Sequence, residues 1–599
     1  MPSRVFVRTA LFAHTGPSYN RSSLLWFAIN EFMVLLFWAR GFSLEGGLNM
    51  GGRRSFRVQT LLAMFLLLTV TFVCAGCGGK DSSAVSTQPA QQNLDTSKFL
   101  VAIEEEPDTV DFQCTSIHYT IATNVFDRLV EMKADESGDV KVMPSLAESW
   151  EESKDGKTYT FHLRKGVTFS NGAALTSSDV LYSFTRLLTH PDSCNQDIVQ
   201  SIRGASALAE GKAKELEGFK VLSDSDFTIT LEQPFEAFLA CLSMPGASIM
   251  DEETTTEAGD RFGVDPASTI GTGPYILKEW ERGKGMMLVP NESCWDGLPK
   301  NAGLDLRFIT DAEKIRMMFE KGELDILDLD DQGSSAEFFI HGDIYQSRIE
   351  EVPPIGISYI ALNESVAPLD DVRVRKALQL SLDRAALLDI VYSGRGSVEN
   401  GIFSRGLYGF NSDLPAIPYD ASEAKRLLTE AGYEKGFDLS FSVKSSSTQA
   451  EMKLAENAVD MWKSIGINAS VKVIDEDEFM SLRKGGKLAC YTATWTADYN
   501  DPDNYLYTFF GTAENTAFRS LCYPKKDIIG RVQDARTITD PAKRLREYQD
   551  LERIIVQEDA AWIPLFSRTR LYVTSERLVD FQHAWNGSVK NVYRAMSVG

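Results

Sequence analysis

Apolar residues recur along this chain in several distinct rhythms, and each predicts a different element. From Leu61 to Val73 they are nearly continuous for 13 residues, with Arg53, Arg54 and Arg57 before them and the small pair Ala75-Gly76 leading into Cys77. A basic head, a short apolar body and a small-residue exit fit an export signal, because a membrane span needs about 20 apolar residues. Short unbroken runs at 99–103, 358–362 and 562–566 predict buried strands. Strict alternation at Tyr159, Phe161 and Leu163, and again over 227–231, predicts half-buried strands. Helical spacing over 121–129, and from a Thr176 cap through Arg186, predicts helices. Between Gly78 and Asn93 the only large aliphatic residue is Val85. That composition cannot offset the entropy of ordering, so 78–97 is expected to be a flexible tether.

The residues before the signal fit it poorly. A second apolar stretch, Leu24 to Ala39, is broken by Asn30 and Glu31, whereas a signal beginning at Met50 has ordinary proportions. Residues 1–49 are therefore expected to be a non-native N-terminal extension and 50–77 the signal peptide. A membrane segment at 24–39 and an uncleaved anchor at 61–73 are the alternatives. Ala75-Gly76-Cys77 resembles the lipobox of bacterial lipoproteins, although Cys74 stands where Leu is usual. The resemblance makes Cys77 the lipid attachment point and places the rest of the chain outside the cytoplasmic membrane, anchored to its outer face or periplasmic. Cys74-x-x-Cys77 has a redox or zinc spacing, but the end of an apolar signal offers neither chemistry a site. Arg53-Arg54-Ser55-Phe56 is similar to a twin-arginine signal, so the export route stays open.

Some 500 residues remain, too many for one hydrophobic core and suited to two or three lobes. The chain carries a net charge of −23, although its first 77 residues hold seven Arg against two acidic residues. Such a field repels nucleic acid and anionic lipid. Cys114, Cys194, Cys241, Cys294, Cys490 and Cys522 permit disulfides, with their pairing open. Motifs for catalysis fail on inspection. Gly156-Lys157-Thr158 ends like a phosphate-binding loop, but Glu151 stands where that loop needs Gly. Asp328-x-Asp330 begins like a calcium loop, yet its twelfth position is Phe339. The histidines outside the signal lie too far apart in sequence for metal-ligand spacing. No metal, cofactor or catalytic residue is expected, and an enzyme is a remote reading, as is an adhesion or sensory lipoprotein.

A family resemblance then emerges from ordered motifs. Leu146-Ala-Glu-Ser-Trp150, Asp155 through Gly172, and Leu175 through Phe184 resemble the signature of the family 5 bacterial extracellular solute-binding proteins. The pattern continues with Gly271-Thr-Gly-Pro-Tyr275, Asn291-Glu-Ser-Cys-Trp295, Gly322-Glu-Leu-Asp325, Asp371 through Leu378, Ala431-Gly-Tyr433 and Trp495 through Pro502. The family comprises dipeptide- and oligopeptide-binding components of ATP-driven importers. The resemblance implies an α/β, two-lobed periplasmic-binding-protein-like clamp (type II, cluster C-like) with an extra domain inserted in the first lobe. Lobe I is then expected at 98–137, 265–362 and 562–599, the insert at 138–264 and lobe II at 363–561. Taken one by one, most of these motif residues have structural readings: Gly271, Gly273 and Gly322 as tight turns, and Arg373/Arg375 as a solvated helix start or ion pair.

The segment from Tyr491 to Pro502 carries the ligand expectation. A strand presenting Tyr491, Ala493 and Trp495 leads into a loop with Asp498. In peptide-binding relatives the aspartate three residues after this tryptophan takes the ligand's α-ammonium, and Asp498 matches that position. A turn-capping role for Asp498 and a core role for Trp495 are the alternatives. Thr494 and Thr496 would pair with the ligand backbone by strand addition, and Tyr499 is a further candidate. Where oligopeptide-binding relatives carry an arginine three residues before the tryptophan, this chain has Thr492; Arg483, twelve before it, matches their second arginine. His118 sits in a loop that faces the cleft in relatives. The expected function is a monomeric lipid-anchored peptide-binding component delivering to an ABC permease and its ATPase, without nucleic acid. A nickel chelate or oligosaccharide is the alternative cargo. For the N-terminus, peptide mapping of a Cys77→Ala form should return nothing from residues 1–49; peptides from that stretch would overturn the Met50 start.

Overall fold

A computed structural model describes residues 97–599 except 104, 116–118, 136–138, 331–334 and 353–354. The signal, Cys77, nearly all of the tether and His118 lie outside the described residues. Three principal sheets organise the rest. The first has seven strands: Phe99–Ile103 and Leu304–Phe308 run parallel at its centre, and Tyr275–Glu281, Gly285–Pro290, Ile326–Asp328, Ile349–Val352 and Arg570–Thr574 complete it. The second has six strands, in the order Gly396–Val398, Trp562–Arg568, Gly356–Leu362, Cys490–Thr496, Asp438–Lys444 and Asn468–Ile474. A four-stranded antiparallel sheet, Ala147–Glu152, Thr158–Leu163, Asp226–Thr230 and Phe219–Val221, forms a separate layer from the 138–264 region.

Local chemistry accounts for many of these elements. Thr158–Leu163 buries Tyr159, Phe161 and Leu163 on alternate positions, as the sequence rhythm requires. The helix Ser177–Thr189 starts at a capping box between Thr176 and Asp179. Helical spacing over 121–129, in contrast, yields only a short helix, Ala122–Val125. Phe126 turns extended there, and the buried carboxylate of Asp127 accepts bonds from Thr272 and Trp295, which draws the chain away from a further turn. Gly271 and Gly273 serve close approach rather than a turn: a Cβ on Gly271 would stand 2.0 Å from the carbonyl oxygen of Val125. Arg373 pairs with Asp371 at the surface, while Arg375 is buried against Glu364 at 3.0 Å.

The chain crosses between the first two sheets twice, between Val352 and Gly356 and between Arg568 and Arg570. The strands Gly356–Leu362 and Trp562–Arg568, which the sequence reading allotted to lobe I, are thus adjacent antiparallel members of the second sheet. Both are buried almost throughout, which explains their unbroken apolar runs. Tyr359 stacks on Trp562 at 3.8 Å between ring centroids, and Phe509 meets the Trp562 ring edge-on at 4.8 Å. All six cysteines of the described region are free thiols. No helix among the described residues is long and apolar enough to cross a membrane.

Because Trp562 is fully buried at the base of these paired strands, Trp562→Ala should lower unfolding stability by about 3–5 kcal/mol. Urea denaturation followed by circular dichroism would read this; a loss under about 1 kcal/mol would show that the stack does not hold the strands.

Candidate functional site

The strand Cys490–Thr496 supplies the framework of the site. Its hydrogen-bond parity is set against Gly356–Leu362: the Ala497 N–H donates to Ile355 O, and the Asn363 N–H donates to Ala489 O. Odd-numbered backbone groups between them therefore face that neighbour. The N–H and C=O groups of Thr492, Thr494 and Thr496 turn to the opposite edge. Asp438–Lys444 covers that edge only at Cys490 and Tyr491. Beyond Thr492 it has no partner strand among the described residues. Thr494 and Thr496 are exposed, and their side chains, with Ser358, Arg568, Arg570 and Asn586, line a small cavity of about 40 Å³ that opens to solvent. Thr492 donates its hydroxyl to Tyr359 O at 2.9 Å and so is engaged within the sheet.

Asp498 follows the strand in a loop that Asn504 fixes. The Asn504 amide oxygen accepts from both the Asp498 N–H and the Trp495 Nε1–H, at 3.1 Å each. Its amide nitrogen donates to Asp498 Oδ2 at 3.0 Å. Asp498 Oδ1 accepts no bond among the described residues. Water reaches this carboxylate, yet protein encloses it on most sides. That enclosure is the main reason its pKa is pushed up to about 6, with the Asn504 bond and Arg519 opposing the rise and Asp197 adding to it. Accessibility and enclosure are compatible because the residue lies in a cleft: Asp197 and Tyr119, both outside the second lobe, lie near enough to interact with it electrostatically.

Trp495 is partly buried, edge-on to Phe509 at 5.2 Å. The guanidinium of Arg519 lies over its ring at 4.7 Å. Arg483, in the last turn of Glu476–Lys484, lies over Phe518 at 5.5 Å. Arg519 also stacks on Phe509 and Phe518. Tyr499 is set apart from this group. Its ring packs into the hydrophobic cluster of the four-stranded sheet and its hydroxyl donates to the buried Asp503. It serves as a contact between the second lobe and the insert, aided by Arg536, which pairs with Asp503 and covers Phe235 at 4.2 Å. The structure thus brings together Trp495, Asp498, Thr494, Thr496 and the neighbourhood of Arg483. Sequence reasoning missed Asn504, Asp197 and Arg519. Of these, only Asn504 had a local signal, standing two residues after Pro502 at the start of Asp503–Phe510.

Comparison with known proteins agrees with this architecture. A family model described as bacterial extracellular solute-binding proteins, family 5, matches residues 141–517. The chain is similar to a dipeptide-binding protein of Escherichia coli, at 30% identity over 456 residues covering 73% of this chain and 82% of that protein. It is also similar to heme-binding protein A of Haemophilus influenzae, at 28% identity over 524 residues covering 84% and 93%. Among solved structures, a periplasmic binding protein from Helicobacter pylori in complex with the peptide STSA aligns with a TM-score of 0.68. At 22% identity it covers 84% of this chain and 98% of that one, a likeness of fold.

Proposed function

The chain belongs to the family 5 bacterial extracellular solute-binding proteins, substrate-binding components of ABC importers, and we propose that its cargo is a short peptide held between the lobes. The observation that carries this reading is Asp498: a carboxylate enclosed in the cleft, oriented by Asn504, with one oxygen unbonded among the described residues. An α-ammonium is the natural partner for such a group, forming a charge-assisted hydrogen bond in a sheltered site. The open edge at Thr494 and Thr496 offers backbone donors and acceptors that recognise any extended peptide irrespective of its side chains. In this reading Trp495 walls the first positions, and Arg483 is the candidate partner for a ligand carboxylate.

In this reading the protein is a reversible clamp. Ligand favours the closed form through its differential affinity, and two short crossings allow the lobes to turn about one another. A lipid on Cys77 would tether it outside the membrane, where as a monomer it delivers cargo to a permease driven by a separate ATPase. The relative named for heme favours a second reading, in which the same clamp takes one non-peptide solute. Native mass spectrometry of protein purified without added ligand separates the two: a ladder of peptide masses supports the first, one discrete non-peptide mass the second.

Asp498→Asn should weaken binding of trialanine at least tenfold in calorimetry, a loss of about 2–5 kcal/mol; unchanged affinity would refute the assignment. The same substitution should leave the melting temperature of the empty protein unchanged or higher at neutral pH. The folded carboxyl titrates near 6, above its ordinary 3.8, so the native state binds the extra proton between those values and its stability falls as pH rises through them. Peptide affinity should run the other way, because the ammonium needs the ionised form. It should be flat above about pH 6 and fall by up to tenfold per pH unit below it, and Asp498→Asn should abolish that fall; an equal fall in the variant would place the titrating group elsewhere.

A further inference from the structure

Beside the Asp498 loop lies a cluster of positive charge that no acid among the described residues pairs directly. Arg483, Lys484 and Arg519 gather around Phe518, which is 42% exposed. None of the three forms an ion pair with any carboxylate among the described residues, on a chain whose net charge is −23. The Nε atoms of Arg483 and Arg519 are buried without hydrogen-bond partners. Position at a helix C-terminus accounts for part of this at Arg483 and Lys484, since Glu476–Lys484 ends there. It does not account for Arg519. That side chain is partly buried, has its pKa lowered chiefly by burial and also by Arg483, and rests on the faces of Trp495 and Phe509. An unpaired guanidinium held flat on aromatic rings keeps its forked donors fixed for a planar anion.

Strand parity indicates what kind of anion reaches it. A ligand paired to the open edge at 494–496 runs alongside the strand, and its side chains alternate between the two faces of the sheet. Tyr491, Ala493 and Trp495 occupy one of those faces, and Arg519 covers Trp495 there. A group rising from the ligand on this face is a side chain, whereas the chain ends continue along the edge. Arg519 and Asp498 are close enough to bias each other's protonation but further apart than the 4.0 Å of an ion pair. We infer that Arg519, assisted by Arg483, forms an anion-receiving pocket that selects an acidic side chain within the first residues of the bound peptide. This inference rests on the peptide reading of the same cleft.

Calorimetry on the purified full-length protein tests it with matched tripeptides: Glu-Ala-Ala against Gln-Ala-Ala, and Ala-Glu-Ala against Ala-Gln-Ala. In at least one pair the Glu peptide should bind at least tenfold tighter than its Gln isostere. Arg519→Gln should reduce that ratio to twofold or less, and Arg483→Gln should reduce it in part, a second readout should Arg519→Gln fail to fold. Asp498→Asn should weaken both members of a pair alike and leave the ratio standing. Equal affinity for Glu and Gln peptides in the unaltered protein would overturn the pocket, as would a preference that survives Arg519→Gln. A C-terminally amidated Ala-Ala-Ala that loses affinity in the unaltered protein but not in Arg519→Gln would assign the pocket to the chain terminus and overturn the side-chain assignment. Absence of binding by all of these peptides to the unaltered protein would instead defeat the peptide reading itself.

Discussion

One-sided pairing of Cys490–Thr496 is the constraint from which the site follows. Its bonds to Gly356–Leu362 fix which backbone groups point inward and which point out. Early departure of Asp438–Lys444 leaves the outward groups open. A fully paired central strand would be stable and inert; an edge strand would invite unwanted association. Here the open portion is short and lines a cavity with Arg568, Arg570 and Asn586, and in the proposed reading its groups serve as a binding surface instead of a hazard. The parity that opens the edge also sorts the side chains, sending Trp495 toward the Arg519 cluster and Thr494 and Thr496 toward the cavity beneath the crossings.

The electrostatics are arranged around that edge in a graded way. Asp498 is reached by water yet enclosed, so its ionised form is kept at some cost, offset in part by Asn504. A second carboxylate, Asp197 of the insert, lies near enough to push the Asp498 pKa up further. On the other flank stand cations that form no ion pair among the described residues. Elsewhere the protein shows what satisfied charge looks like: Arg544 and Asp501 share two bonds in the core, at 2.7 and 2.8 Å. The contrast between that completed pair and the incomplete charges of the cleft is what the proposed binding site rests on.

Much of the frame was legible in the chain because it rests on local rhythm. The alternation at Tyr159, Phe161 and Leu163, the apolar runs of the crossing strands and the Thr176 cap each report a short-range cause, and each element formed. The framework of Trp495 and Asp498 was legible for the same reason, as a strand followed by a loop. What escaped depends on partners far apart in sequence. Nothing near Ile121–Leu129 reveals that Asp127 will be claimed by Thr272 and Trp295. Arg519 lies more than twenty residues past Trp495, and its stacking on that ring has no signature in the intervening segment. Tyr499 misled through its neighbourhood: one position beyond Asp498, it turns its ring the other way.

That turn ties two events together. Tyr499 is planted among the apolar side chains of the insert while the adjacent carboxylate waits in the cleft. A single peptide plane separates a residue that would hold cargo from one that grips a neighbouring body. In the proposed reading, a loop that receives cargo at one residue is anchored at the next to a layer lying outside the cleft.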